Sequence, residues 1–169
     1  MSSILKNVWI EQDYKNFDYR PENRIDFEFG KCLCLPKNLV TKNPHLNNLS
    51  EDDVILHLRE GKILSSASLV ASSKPAEVTI DGNIFIYVKL KNLININNPL
   101  LIKDEVLTHD NLDLLMEIND TSDVFYNKSL NYKRKAYLTP CSKHFISLLY
   151  NLYKNKTGSL LNHINKDMI

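Results

Sequence analysis

The segment AEVTIDGNIFIYVKLKN, residues 76–92, limits the fold of this chain more than any other stretch. Val78 and Ile80 are separated by a polar residue, and after the turn aliphatic residues recur at every second position, at Ile84, Ile86, Val88 and Leu90. The letters DGN between the two runs are typical of a tight turn that joins antiparallel strands. The pattern therefore predicts a β-hairpin, and with it a sheet that is antiparallel at least locally.

A second strand is predicted in RIDFEFGKCLCLP, residues 24–36. Ile25 and Leu35 share one parity with the phenylalanines between them, whereas Cys32 and Cys34 share the other parity with acidic residues. We therefore expect both cysteines on the polar face of this strand. A weaker pair of strands is predicted within residues 122–138.

Helix patterns occur between these strands. Ser50 precedes a run that begins with acidic residues, and Gly61 follows it, so an N-cap, a favourable helix dipole and a C-terminal stop predict a short helix over residues 51–60. The same reasoning with Thr108 as N-cap predicts a second helix in THDNLDLLMEIN.

The strongest helix pattern is TPCSKHFISLLYNLYKNKTG, in which Thr139 is the expected N-cap, Pro140 the first helical residue and Gly158 the stop. Residues 159–169 place apolar side chains at helical spacing and predict a terminal amphipathic helix. The elements lack the regular alternation of a parallel α/β fold. We predict one α+β domain over residues 1–169, with a mainly antiparallel sheet and three to four short helices packed against it.

The amino-acid composition limits the classes of molecule that the protein is expected to bind. The chain has 169 residues, 43% hydrophobic, with a net charge of +1, so its overall charge favours neither nucleic acid nor an anionic membrane. With 4 glycines it lacks a glycine-rich phosphate loop.

The first residues lack a signal-peptide pattern and no run is long enough to span a membrane, which predicts a cytoplasmic or otherwise intracellular protein. Abundant Asn and Lys indicate an A/T-rich genome, such as that of a virus, a phage or a bacterial pathogen.

The cysteines permit two chemical hypotheses. A zinc site would use Cys32, Cys34, Cys141 and His144, but the spacing of the first pair lacks the turn of a zinc knuckle, and Cys141 is in line with the apolar stripe of its predicted helix. A nucleophilic Cys141 with His144 as base is the second hypothesis, yet the two residues point in different directions from one helix. The simpler interpretation places Cys141 in the core, and we predict neither a metal nor another cofactor.

A nucleic-acid surface is the first alternative function. The segment FYNKSLNYKRKAY combines aromatic faces for base stacking with positive charges for phosphates. Its candidate contact residues are Tyr126, Lys128, Tyr132, Lys133, Arg134, Lys135 and Tyr137. The same composition is also found in solvated strands and turns.

The function that the sequence favours is a non-enzymatic interaction or assembly subunit, whose partner is a protein, with no role in membranes. Two terminal segments, residues 1–14 and 159–169, are the predicted docking elements. Their contact residues would be Trp9, Leu160, Leu161, Ile164 and Met168. The competing interpretation is that both ends complete the core of the domain itself.

Overall fold

The predicted hairpin belongs to a curled mixed sheet in the computed structural model, which describes residues 6–13, 29–60, 62–133 and 136–169. Within these residues the sheet has seven strands, in the order β2-β6-β4-β3-β1-β7, and β5 pairs with β6 beside that path. The strands are β1 (Val8–Asp13), β2 (Cys32–Pro36), β3 (Val54–Arg59), β4 (Ile63–Val70), β5 (Ala76–Ile80), β6 (Asn83–Asn95) and β7 (Leu138–Pro140).

Two α-helices accompany the sheet, α1 (Leu112–Thr121) and α2 (Lys143–Thr157). Short 3-10 turns cover Lys37–Lys42, Pro44–Asn48, His109–Asn111 and Lys166–Met168, and one π-helical turn covers Ile102–Val106. The pairing of β1 with β3 is parallel, whereas the other strand pairs are antiparallel. The α+β class is therefore confirmed, with a sheet that is mixed.

Strand β6 produces the curl. Its first half pairs with β2 and β5, and its second half, from Leu90 to Asn95, pairs with β4. One strand thus joins two parts of the sheet, as long, bent strands do where a sheet closes on itself. The exposed turn between β5 and β6 has Asp81 and Gly82 at positive φ, as its sequence predicts.

The core lies on both faces of the sheet. On β3, Val54, Leu56 and Leu58 join the large cluster that includes α1 and α2, whereas Ile55 points to the other face with Trp9. The second cluster is enclosed by β2 and the turn at Pro44–Asn48. Because both faces of β3 are covered, its sequence VILHLR shows no alternation of polarity.

The predicted helix over residues 51–60 is wrong, since residues 54–59 form β3. The expected cap instead closes a turn: Asp53 Oδ2 accepts a hydrogen bond from the Ser50 backbone N–H at 2.9 Å, and the Asp53 N–H donates to the Ser50 carbonyl. A Ser-x-x-Asp sequence before an apolar run is common to helix caps and to such turns. The pairing of β3 with β1 and β4 decides between the two.

Cys32 and Cys34 do not lie on a polar face. Both are buried in a small third cluster with Phe85, while Leu33 between them packs in the cluster that contains Trp9. Both faces of β2 are therefore apolar. The acidic half of the predicted strand, residues 25–28, lies outside the described residues.

The third predicted helix is present but begins later than expected. Residues 138–140 form the edge strand β7, and the N-cap of α2 is Ser142, whose hydroxyl accepts a hydrogen bond from the Phe145 N–H at 3.3 Å. Gly158 ends the helix at φ 77, as predicted. The second predicted helix is α1, whose buried residues are Leu115 and Ile118 and whose N-cap is Asn111 in place of the predicted Thr108.

The terminal segment is not a helix apart from the 3-10 turn at Lys166–Met168. The described residues among 122–138 show an isolated bridge between Tyr126 and Tyr132 in place of the weak strand pair predicted there, and Leu138 begins β7. Among the described helices, none has both the length and the hydrophobicity needed to cross a lipid bilayer.

Candidate functional site

A small cleft opens between the two 3-10 turns that follow β2 and the segment that enters β7. It encloses about 220 Å³. Its lining residues are Lys42, Asn43, Pro44, His45, Asp123, Lys133, Ala136, Leu138 and Thr139. The cleft thus unites segments that are distant in sequence, and three of its side chains are basic.

Hydrogen bonds fix the two walls relative to each other and to β1. Asn43 Oδ1 accepts from the Tyr137 N–H at 3.4 Å, and its amide nitrogen donates to the Leu39 carbonyl at 3.1 Å. On the opposite wall, Gln12 Nε2 donates to the Ala136 carbonyl at 2.7 Å, and the Gln12 N–H donates to Tyr137. These bonds join the segments that line the cleft to each other and to β1.

One carboxylate lies between two of the basic groups. Asp123 Oδ2 is 2.6 Å from His45 Nε2, and Asp123 Oδ1 is 3.8 Å from Lys133 Nζ. Asp123 is more than half exposed, and Lys42 is exposed at the same cleft. Two lysines and a histidine therefore face a single acid, which leaves a local excess of positive charge.

The indole ring of Trp9 packs beside the imidazole ring of His45. The indole is buried, its Nε1 donates to Asp53 Oδ2 at 3.0 Å, and its ring centroid lies 5.7 Å from that of the imidazole. The same Asp53 carboxylate accepts from the Asn7 N–H at 3.1 Å. Trp9 thus contributes to the core and the position of His45, and its buried ring does not present a docking surface.

Thr139 forms part of the cleft wall and is 2% exposed. Its hydroxyl oxygen is buried and has no hydrogen-bond partner within the described part of the chain. A hydroxyl in this condition destabilises the fold, because it has lost its bonds to water without replacing them.

The tyrosines of the basic and aromatic segment point inward. Tyr126 is fully buried, and its hydroxyl donates to the Leu115 carbonyl at 2.7 Å. Tyr132 stacks on Phe125, and burial, followed by the Asp104 charge, raises the pKa of Tyr132 to about 12. Tyr137 is half-buried, and its hydroxyl donates to Glu11 and accepts from the Cys34 N–H. These rings are core and network residues, so the predicted stacking surface is not formed.

The lysines of that segment remain at the surface. Lys128 Nζ lies 3.3 Å from Asp120 Oδ1, and Lys133 lies at the cleft with Asp123. Arg134 and Lys135 lie outside the described residues. Of the predicted nucleic-acid residues, the structure therefore places Lys133 at a concave basic site and Lys128 in a separate ion pair.

The cysteines are not brought together. Cys141 packs in the large core cluster, Cys32 and Cys34 pack in the third cluster, and His144 is exposed on α2. Burial raises the pKa of the Cys141 thiol, which opposes formation of a nucleophilic thiolate. Within the described residues, no three His, Cys, Asp or Glu side chains are grouped as a metal site requires.

Both docking segments contribute to the core of the domain. Leu161 and Ile164 are buried in the large cluster, Met168 packs against it, and Leu160 is 56% exposed. His163 Nε2 lies 2.8 Å from the Asn92 carbonyl, which attaches the segment to β6. Residues 1–5 and 14 of the other segment lie outside the described residues.

A buried polar chain crosses three adjacent strands. Glu11 Oε1 on β1 is 2.7 Å from His57 Nδ1 on β3, and His57 Nε2 is 2.6 Å from Ser68 Oγ on β4. With Glu11 ionised, His57 donates to the carboxylate and accepts from the Ser68 hydroxyl. The three residues resemble a catalytic triad in order, but all are fully buried, so Ser68 is closed to a substrate.

The sequence patterns do not predict the Glu11–His57–Ser68 hydrogen bonds or the cleft. The predicted helix over residues 51–60 includes His57, no sequence motif marks His45 or Asp123, and Thr139 is predicted only as a helix cap. His45 and Asp123 are 78 residues apart, and Glu11 and His57 are 46 apart. The Asn and Pro content of residues 36–50 is typical of irregular backbone, and two 3-10 turns lie there, but that pattern does not reveal which side chains meet.

No family model and no curated protein matches this chain. Its fold is similar to that of the N-terminal domain of Staphylothermus marinus McrB, with a TM-score of 0.52 and 12% sequence identity. The match covers 89% of this chain and 98% of the McrB domain. At this identity the likeness concerns the arrangement of the chain in space.

Proposed function

We propose that this protein binds nucleic acid, and that the cleft between Lys42 and Lys133 contacts the phosphate backbone. The observation that carries the proposal is the convergence of Lys42, His45 and Lys133 on one concave site in a protein whose net charge is only +1. A cleft lined by basic side chains concentrates positive electrostatic potential locally, even when the net charge of the whole protein is close to zero. Arg134 and Lys135, which follow Lys133 in sequence, add to the charge of this segment.

The likeness to the McrB N-terminal domain favours nucleic acid over a protein as the partner. The location of the terminal segments points the same way. Leu161 and Ile164 are buried in the large core cluster and are therefore unavailable to a partner groove. A non-enzymatic role remains our prediction.

The chemistry of the cleft favours phosphates over bases. Stacking recognition of single strands requires exposed aromatic faces, and Tyr126, Tyr132 and Tyr137 use their rings or hydroxyls inside the domain. Ammonium groups and a hydroxyl, by contrast, are the ordinary donors to phosphate oxygens. We therefore expect binding that depends weakly on base sequence and strongly on salt.

The test is fluorescence anisotropy with a labelled duplex and with one of its strands, at salt concentrations from 50 to 200 mM. Lys42→Gln and Lys133→Gln should each weaken binding several-fold and reduce the slope of log affinity against log salt by about 1, because each removes one phosphate contact.

Lys154→Gln is the matched control. Lys154 is exposed near the far end of α2, roughly 15 Å along the helix from the end next to β7, and its neutralisation changes the net charge equally. It should leave affinity nearly unchanged. Salt-independent binding, or no binding of either probe by the wild-type protein, would reject the proposed function.

A further inference from the structure

We infer that the cleft is a subsite for a single phosphate group, and that the Asp123 carboxylate occupies the place of that phosphate in the free protein. The inference rests on the proposed function and deepens it, since it names the group that is bound and the residues that select it. Asp123 is the acidic residue of the cleft lining, and it contacts two of its three basic residues.

The geometry of Asp123 is that of an internal substitute for a bound anion. One carboxylate oxygen is directed to His45 and the other to Lys133, so the two oxygens divide between two donors as two oxygens of a phosphate would. The Lys133 distance of 3.8 Å is long for a charge-assisted hydrogen bond, and the carboxylate is 57% exposed. The Lys133 contact is therefore weak, and the 2.6 Å contact with His45 is the main bond that an entering phosphate has to replace.

Thr139 provides the second and independent observation. Thr139 is a lining residue of the same cleft, and its hydroxyl is buried and without a partner within the described residues, although a fold gains nothing from such a group. A phosphate that displaced Asp123 would carry more oxygens than the carboxylate does, so one oxygen would be left to accept from this hydroxyl. The unused donor is explained by an oxyanion that enters the cleft.

Asp120 shows why the arrangement at Asp123 is distinctive. Asp120 also pairs with a lysine, Lys128, at 3.3 Å, and its exposure is similar at 59%. That pair, however, is absent from the lining of the cleft. The two acids therefore offer nearly identical changes in charge with different expected effects on binding.

The decisive variant is Asp123→Asn, measured in the same anisotropy assay. Removal of the competing charge should tighten binding of the duplex roughly threefold or more, because His45 and Lys133 become available without displacement of a carboxylate. Asp120→Asn should change affinity much less. If Asp123→Asn and Asp120→Asn increase the affinity for the duplex equally, the increase is caused by the change in net charge alone. That result would overturn the inference but would leave the proposed function intact.

The hydroxyl is tested by Thr139→Val and Thr139→Ser. The valine variant should raise the melting temperature, since it removes a buried hydroxyl without a partner, and should weaken binding several-fold, since it removes a donor to phosphate. The serine variant should retain affinity. Unchanged affinity of Thr139→Val would show that the hydroxyl does not contact the ligand and would contradict the inference.

An assay with inorganic phosphate distinguishes a subsite for the phosphate of a nucleic-acid backbone from a subsite for free phosphate. Thermal shifts are measured with phosphate against chloride at equal ionic strength, for the wild type and for Asp123→Asn. If phosphate stabilises the protein, more strongly in Asp123→Asn, while neither oligonucleotide binds, the subsite stands and the proposed function fails. If neither phosphate nor nucleic acid has an effect in Asp123→Asn, the subsite is rejected.

Discussion

The thiol of Cys141 lies between the end of β7 and the start of α2, in the core cluster that joins the helices to the sheet. Burial raises the pKa of this thiol, whereas His144, its candidate base, is exposed on the helix. At the scale of single residues, environment therefore assigns Cys141 a packing role, in agreement with the prediction that it belongs to the core.

Substitution of Cys141 tests that role. Cys141→Ser should lower the free energy of unfolding by about 1–3 kcal/mol, because it buries a hydroxyl in an apolar cluster. Cys141→Ala should cost less, since it leaves only a small void. Urea unfolding measures both. Rapid reaction of Cys141 with a thiol reagent in the native protein would contradict a buried, neutral thiol.

Single residues also show what local patterns miss. The alternation of β2 correctly paired Leu33 and Leu35 on one face, but it assigned Cys32 and Cys34 to a polar face that the hairpin in fact covers. Whether a small, weakly polar side chain is buried depends on which strand lies above it. That contact comes from Phe85 on β6, which sequence spacing does not identify.

The elements of this fold are joined by side chains as well as by backbone. Glu11, His57 and Ser68 connect β1, β3 and β4 at buried positions, and Tyr137 adds a bond to Glu11 from the segment that enters β7. Polar groups buried in this way stabilise a structure only when each has its partner. The Glu11–His57 bond joins residues that are also paired in the backbone register of β1 with β3, so it adds to the stability of that parallel pairing.

Ser68→Ala tests this connection. It leaves His57 Nε2 buried without its partner, so we expect a loss of about 1–3 kcal/mol in the free energy of unfolding, with affinity for nucleic acid unchanged. Ser66→Ala removes a hydroxyl from a buried position of the same strand and is the control, with a smaller expected loss. Equal stability of Ser68→Ala and the wild type would show that the bond contributes nothing.

The C-terminal end of α2 was more predictable than the helix starts. Gly158 ends α2 as expected, because this stop depends on the conformation of one residue, whereas the N-caps of α1 and α2 are Asn111 and Ser142 and not the predicted Thr108 and Thr139. Residues 51–60 were misassigned because both faces of β3 are covered, which removes the alternation that identifies a strand. The helix predicted over residues 159–169 is also wrong. The apolar residues of this segment pack into the core without forming a helix.

At the scale of the whole molecule, one ion pair connects α2 to the π-helical turn. Lys156 Nζ lies 2.8 Å from Glu105 Oε2, which also accepts the Leu101 N–H at 2.7 Å. Burial acts to raise the pKa of Glu105, but the Leu101 hydrogen bond and the Lys156 ammonium together lower it below the ordinary 4.5. The folded state therefore holds the ionised carboxylate more strongly than the unfolded state does.

This shift predicts how stability depends on pH. Because the pKa is lowered on folding, the contribution of Glu105 is present above pH 4.5 and is lost as the pH falls through its lower folded value. Glu105→Gln should reduce the free energy of unfolding by about 1 kcal/mol at pH 7 and by progressively less below pH 4.5. Urea unfolding at several pH values measures this. A difference that does not vary with pH would exclude the charge as its cause.

Near neighbours along the chain suffice to predict the β5–β6 hairpin, the stop at Gly158 and the α+β class. Contacts between distant segments are needed to make residues 54–59 a strand, to turn the tyrosines of residues 126–137 inward, and to bring His45, Asp123 and Lys133 to one cleft. The two groups of features differ in the sequence separation of the contacts on which they depend. Alternation and capping follow from contacts within one turn or one hairpin, whereas the cleft depends on side chains 78 residues apart in sequence, one in the 3-10 turn at Pro44–Asn48 and the other just after α1.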